Sequence, residues 1–233
     1  MKNYVIFKGV NSNTYSNLII SELPCISKPE LRVDTTEIDG KDGDIIDELG
    51  YASYDKTLKI ALKSSENIDE IIKFFSGSGN IVFSNEPDKY YKAYIYEQID
   101  FERLLRFKEA DITIHVQPFK YLLNEEDVVL NITNQTSLTV NNQGLEKSKP
   151  ILKLYGSGTI TVSLNGLTAF TVTIDEDDDY IVIDSMEEEA YNDTELKNRN
   201  MSGEFPLLET GNNTISWTGS LTKIEVTPNS RWL

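Results

Sequence analysis

Cysteine and histidine are nearly missing from the 233 residues: Cys25 and His115 are single copies. One cysteine cannot form an intramolecular disulfide, and it all but removes a cysteine-based zinc site. One histidine means that any Ser-His-Asp or Cys-His mechanism would have to run through His115. Basic residues are scarce too, 22 against 38 acidic, for a net charge of −16. A phosphate-gripping protein needs clustered Lys and Arg to release counterions, so nucleic-acid binding and attachment to anionic membranes are disfavoured. No apolar run approaches the length of a membrane span. The opening MKNYVIFKGVNSN has no apolar signal-peptide stretch. The expectation is a soluble chain made in a cytoplasm, with no membrane insertion.

What is present is enough for a packed core: 39% apolar residues, with twelve tyrosines as the commonest aromatic. In the first half, Leu58, Ile60 and Leu62 share one face of the alternating stretch Tyr54–Leu62. Further strands are expected at Val5–Phe7, Leu18–Ile20, Leu31–Ile38, Asn80–Phe83, Tyr90–Tyr96 and Ala110–Val116. The glycine-rich, acidic stretch Ile38–Tyr51 reads as a long turn or hairpin loop. One helix is expected, with Asn67 as its cap, Glu70 completing a capping box, Ile68, Ile71, Ile72 and Phe75 at helical spacing, and Gly77 as its stop.

Pro118 and the acidic run Glu125–Asp127 mark a linker, which divides the chain into residues 1–123 and 124–233. Charge divides with it. The first part holds 15 bases and 20 acids, the second 7 and 18, hence net −5 and −11. Beyond the linker, short strands are expected at Val128–Ile132, Leu138–Val140, Ile151–Tyr155, Thr159–Leu164, Phe170–Ile174, Tyr180–Asp184, Asn213–Trp217 and Leu221–Thr227. Gly156-Ser-Gly158 and Thr218-Gly219 read as turns between them, and Asn165-Gly166 is the strongest hairpin signal. Many short strands with Gly and Asn turns indicate a β-sandwich. The fold class is mainly β: a β-rich first domain with one short helix, then a sandwich.

No residue pattern points to catalysis. His115 lies mid-strand on the face opposite Ile112, Ile114 and Val116, and reads as an ordinary strand residue. Cys25, in LPCISKP, reads as a small packed residue with no basic neighbour to activate it. Asp175, Asp177 and Asp179 alternate like calcium ligands, but no glycine follows and Tyr180 opens a strand, so a solvated acidic turn is the reading. Trp217 and Trp232 could stack on sugar, yet tryptophan in an alternating strand is more often core or interface. No cofactor and no metal are expected, and the chain is read as a non-enzyme.

Three stretches together resemble the phage distal tail protein (Dit) family, the hub of siphovirus tail tips and baseplates. They are IDGKDGDIIDELGYASYDKTLKIAL (Ile38–Leu62), the region Ile181–Phe205 from IVIDSMEEEAY to NRNMSGEFP, and the terminal GNNTISWTGSLTKIEVTPNSRWL. The resemblance implies that residues 1–123 form a homohexameric ring and that residues 124–233 fold as a galectin-like β-sandwich. It implies a structural protein of the virion tail tip, made in the host cytoplasm, joining the tail tube protein to a tail-associated lysin or fibre protein and to a receptor-binding protein, with DNA only in transit. The alternative is a carbohydrate-binding surface module of a phage or prophage adhesion device. Within the ring, the expected subunit-interface or channel residues are Asp34, Glu37, Asp39, Gly40, Asp42, Gly43, Asp44, Asp47 and Glu48. Seven acids there face a single base, Lys41.

Overall fold

The computed structural model describes residues 2–64, 66–99, 106–193 and 195–233. It is mainly β, as the alternation demands, and it divides into two compact units: residues 1–123 with Leu233, and Asn124–Trp232. Among the described residues no helix is long and apolar enough to cross a membrane.

The first unit contains β1 (Val5–Phe7), β2 (Val10–Asn11), β3 (Leu18–Glu22), β4 (Leu31–Glu37), β5 (Asp44–Tyr51), β6 (Tyr54–Leu62), α1 (Ile68–Phe74), β7 (Gly77–Phe83), β8 (Lys89–Ile95) and β9 (Glu109–Leu122). An antiparallel sheet runs in the order β2-β1-β7-β8-β9-β6-β3. Its core face carries Leu58, Ile60, Ala110, Ile112, Ile114, Val116, Ile81 and Tyr91, all buried. The alternation of β6 and β9 places these side chains on one side, because opposed residues of paired strands share a face. Helix α1 covers that face with Ile71 and Phe74, and Phe74 meets Phe7 edge-on at 6.2 Å.

Two sequence expectations fail here. Asn67 does precede the helix, but in the left-handed region (φ 53°) and with no side-chain cap bond, so there is no capping box. Seven residues of helix therefore depend on tertiary packing. Strand β9 also does not stop before Pro118. It continues to Leu122, because the β8–β9 register shifts between Tyr91 and Ala93 and leaves Pro118 in the irregularity, a position where its missing N–H costs no ladder bond.

The second unit contains β10 (Val128–Asn131), β11 (Ser137–Asn142), β12 (Ile151–Leu164), β13 (Leu167–Ile174), β14 (Tyr180–Asp184), β15 (Glu189–Asn192), β16 (Glu195–Leu196), β17 (Met201–Gly203) and β18 (Gly211–Thr227). The expected turns at Gly156-Ser-Gly158 and Thr218-Gly219 are not turns. They are kinks inside two long strands, β12 and β18, which pair with one another on both sides of the kink. Before it, β12 also pairs with β14; after it, with β13. Each strand thereby serves both halves of one curled nine-stranded sheet, the corner being made by irregularities in register. Glycine is required there: a Cβ on Gly156 would sit 2.2 Å from the Ser220 carbonyl oxygen, and one on Gly219 (φ +105°) 2.5 Å from that of Thr159. The halves enclose one core that includes Leu152, Leu154, Ile183 and Ile224 from one side and Val162, Phe170, Val172 and Trp217 from the other. Asn165-Gly166 forms the two-residue hairpin between β12 and β13, with both φ values positive (51° and 85°).

Candidate functional site

The acidic stretch of the first unit is not one long loop. Strands β4 and β5 pair over seven registered positions, from Leu31↔Tyr51 to Glu37↔Asp44, as a two-stranded ribbon separate from the main sheet. Only residues 38–43 turn the chain, helped by Gly40 (φ +82°) and Gly43 (φ +79°). The ribbon is rooted at its base. Tyr51 meets Phe119 edge-on at 5.7 Å, and Ala52 donates its N–H to the Glu30 carbonyl at 2.8 Å. Outward from that base both faces meet solvent. Val33, Thr35 and Ile46 lie on one face and Thr36 and Ile45 on the other, and Val33, Ile45, Ile46 and Leu49 are exposed.

Its charges oppose its own folding. Asp34 stands directly across from Asp47, and Glu37 from Asp44; like charges at opposed positions destabilise a pair of strands. Of the expected site residues, Asp34, Glu37, Asp44, Asp47 and Glu48 lie on the strands, and Asp39, Gly40, Asp42 and Gly43 in the turn. The structure thus brings all nine into one projecting element.

His115 is on the outer face of β9. Its Nδ1 lies 2.8 Å from Asp55 Oδ1, and its ring meets that of Tyr96 at 6.0 Å. Among the described residues no serine or cysteine bonds to its ring. Cys25 is exposed rather than packed, and it does have a basic neighbour: Lys56 Nζ donates to its carbonyl at 2.9 Å. The reason is that Lys56 belongs to a buried charged cluster that sequence reasoning missed. Lys120 and Glu86 form an ion pair of 2.6 Å, with side chains only 9% and 11% exposed. The Tyr91 hydroxyl donates to the same carboxylate at 2.7 Å, and Lys56 Nζ lies 5.0 Å from the Tyr91 ring centroid. Burial lowers the Lys56 amine and raises the Tyr91 phenol. Burial would push the Glu86 carboxyl up, but hydrogen bonds from Lys120 and Tyr91, with the charges of Lys120 and Lys56, hold it below the usual range. Lys120 and Tyr91 both bond to the Glu86 carboxylate and Lys56 bonds to the Cys25 carbonyl, so the cluster reads as structural.

In the second unit the run Asp175–Asp179 is a turn closed by the Asp178 N–H on the Asp175 carbonyl at 3.0 Å. A lysine stands at its centre. Lys197 Nζ is 3.0 Å from Asp178, 3.4 Å from Glu195 and 3.8 Å from Asp175. The Lys197 hydrogen bond, then that of Asn192, holds the Asp178 carboxyl low. Trp217 is buried in the core, so it offers no platform for a sugar. Tyr155 and Tyr180 are among the partly exposed aromatics; their rings lie 5.4 Å apart, and Lys153 Nζ sits 3.8 Å from the Tyr180 centroid.

No protein-family model and no curated protein matches the chain. Solved structures do. The Dit protein (gp 19.1) of phage SPP1, described as a paradigm of hub adsorption apparatus in phages infecting Gram-positive bacteria, aligns at TM-score 0.70 and 14% identity, with 100% of both chains covered. A chain of the phage P2 baseplate in its activated conformation with Ca aligns at TM-score 0.51 and 11% identity over 97% of each chain. The resemblance drawn from the three sequence stretches is therefore borne out in three dimensions: from end to end, the chain has the fold of a phage tail hub protein.

Proposed function

We propose that the protein is a structural hub of a long non-contractile phage tail tip and not an enzyme. Six copies of residues 1–123 close into a ring that joins the tail tube to the tail-associated lysin, fibre or receptor-binding proteins and lets DNA pass. Residues 124–233 are a galectin-like sandwich that serves as scaffold. The observation that carries this reading is the match to a tail hub protein over the full length of both chains. The ribbon β4–β5 supports an assembled state. A two-stranded ribbon is marginal alone in water, and exposed Val33, Ile45 and Ile46 on two faces fit burial between subunits better than an open channel wall. The test is mass. Light scattering of the purified chain, alone and with its tail partners, should show a species near six times 26.4 kDa. A strictly monomeric protein under all of these conditions ends the ring reading. Saturable binding to a host glycan with no assembly would favour a carbohydrate-binding module instead.

A further inference from the structure

The second unit has an unfinished strand edge. Strand β13 begins at Leu167, but its pairing with β17 covers only Phe170↔Gly203, Thr171↔Ser202 and Val172↔Met201. One more bond, from the Glu204 N–H to the Ala169 carbonyl at 3.0 Å, closes the pair. The chain then turns away. The divergence begins at Gly203 (φ +114°), where a Cβ would stand 2.5 Å from the Ala169 oxygen. The result is a cleft of about 740 Å³ between the start of β13 and the segment Glu204–Glu209. That size lies within the range of pockets that enclose ligands, about 300–1,000 Å³.

The lining is selective. Leu164 and Phe205 are half-buried in it, Leu167 and Leu207 stand at its rim 76% and 43% exposed, and Glu204 and Glu209 supply the rim charge. Lys147 pairs with Glu209 at 2.7 Å; Glu204 has no cation within reach among the described residues. The end of the cleft is held firmly by Asn213. It is fully buried, donates to the Glu209 and Gly211 carbonyls at 2.8 and 3.0 Å, and accepts from Asn165 at 2.9 Å. A preformed cleft with an open strand edge, an apolar floor and an acidic rim has the attributes of a strand-addition site, in which main-chain bonds give affinity and side-chain pockets give choice.

We propose that this cleft takes an extended segment of a partner protein, in which an apolar residue flanked by lysine or arginine adds alongside Leu167–Ala169. The occupant follows from complementarity: leucine and phenylalanine below, the Glu204 carboxylate at the rim with no lysine or arginine on it among the described residues, and a unit of net charge −11 around them. The inference does not depend on the ring.

The test uses the full chain and a short capped peptide alternating lysine and leucine, followed by NMR and by fluorescence anisotropy. Saturable shifts confined to Leu167–Ala169 and Gly203–Glu209 are expected. Leu207→Ser should weaken binding about tenfold, the worth of one buried leucine contact. Leu167→Ser, at an exposed hairpin end where folding is not at stake, should do the same. Glu204→Gln should weaken it less, and added salt should reproduce that loss. Equal binding of a lysine–serine peptide, or shifts spread over the whole acidic surface, would show charge attraction only and overturn the site. Tighter binding of a glutamate–leucine peptide would overturn the stated partner chemistry. Displacement of the peptide by a neutral oligosaccharide would reassign the cleft to sugar.

Discussion

Glu86 is the residue on which the first unit's polar interior turns. It accepts from Lys120 and Tyr91 and faces the charge of Lys56, and the two lysines are 7% and 4% exposed. Removing one partner of such a pair strands buried charge, a loss of about 3 kcal/mol or more. Glu86→Ala is therefore expected to lower stability by about that amount in urea unfolding, and pairing it with Lys120→Met should recover much of it. The sign of the pH dependence follows from the direction of the shift. The carboxyl is lower in the fold than the ordinary glutamate value of 4.5, so its contribution is fully present above about that pH and is lost as pH falls through the depressed folded value. The parent protein should lose stability with acid in that window more steeply than Glu86→Ala does. Equal slopes would show that Glu86 does not carry the effect. Nothing in the sequence announced this cluster, because Glu86, Lys120 and Lys56 are far apart in the chain and meet only through the pairing of β6, β8 and β9.

At the scale of elements, the ribbon β4–β5 has the sequence of a hairpin and the energetics of something unfinished. Asp34 faces Asp47, Glu37 faces Asp44, and the β-branched residues that favour strands are left in water. In the isolated chain, amides between Asp34 and Glu48 should exchange with solvent far faster than those of β6 or β9, since local opening is easy where few apolar contacts are buried. On assembly they should slow by at least tenfold if the ribbon lies at a junction; unchanged exchange in the assembled state would move it to free surface. Asp34→Asn with Asp47→Asn should slow exchange in the isolated chain, because the opposed charges are worth roughly 0.2–1 kcal/mol.

Most single elements of the fold were legible for a physical reason: alternation in Leu58–Leu62 and Ile112–Val116 reports burial directly. The kinks of β12 and β18 were not legible, because glycine marks both a turn and a close approach of two strands. Gly156 and Gly219 are the second kind, and only the Ser220 and Thr159 carbonyls reveal it. The acidic stretch was legible as composition, but its division into two strands and a short turn was not, since Ile45 and Ile46 read as loop residues until paired with Thr36 and Thr35.

The whole molecule is two units with separate apolar cores, one centred on Leu58, Ile71, Ile112 and Ile114, the other on Leu154, Val162, Phe170 and Ile224. A unit with its own core can fold alone. The second unit adds local ties of its own at the boundary: Glu125 accepts from the Ser230 N–H at 2.9 Å and Asp127 from Thr227 Oγ1 at 2.5 Å. These bonds join the start of residues 124–233 to their end, which closes the sandwich on itself. The fragment 124–233 is therefore expected to be soluble, to melt cooperatively and to give a dispersed NMR spectrum. Its net charge of −11 opposes aggregation. The same charge opposes compactness, so the fragment should gain stability as salt screens repulsion beyond a Debye length of roughly 8 Å. If the first unit is the ring-former, the fragment should remain monomeric at concentrations where the full chain assembles. A fragment that assembles by itself would move the ring to the sandwich. A fragment that fails to fold would show that the two cores are not independent, and the proposed division of labour between ring and scaffold would go with them.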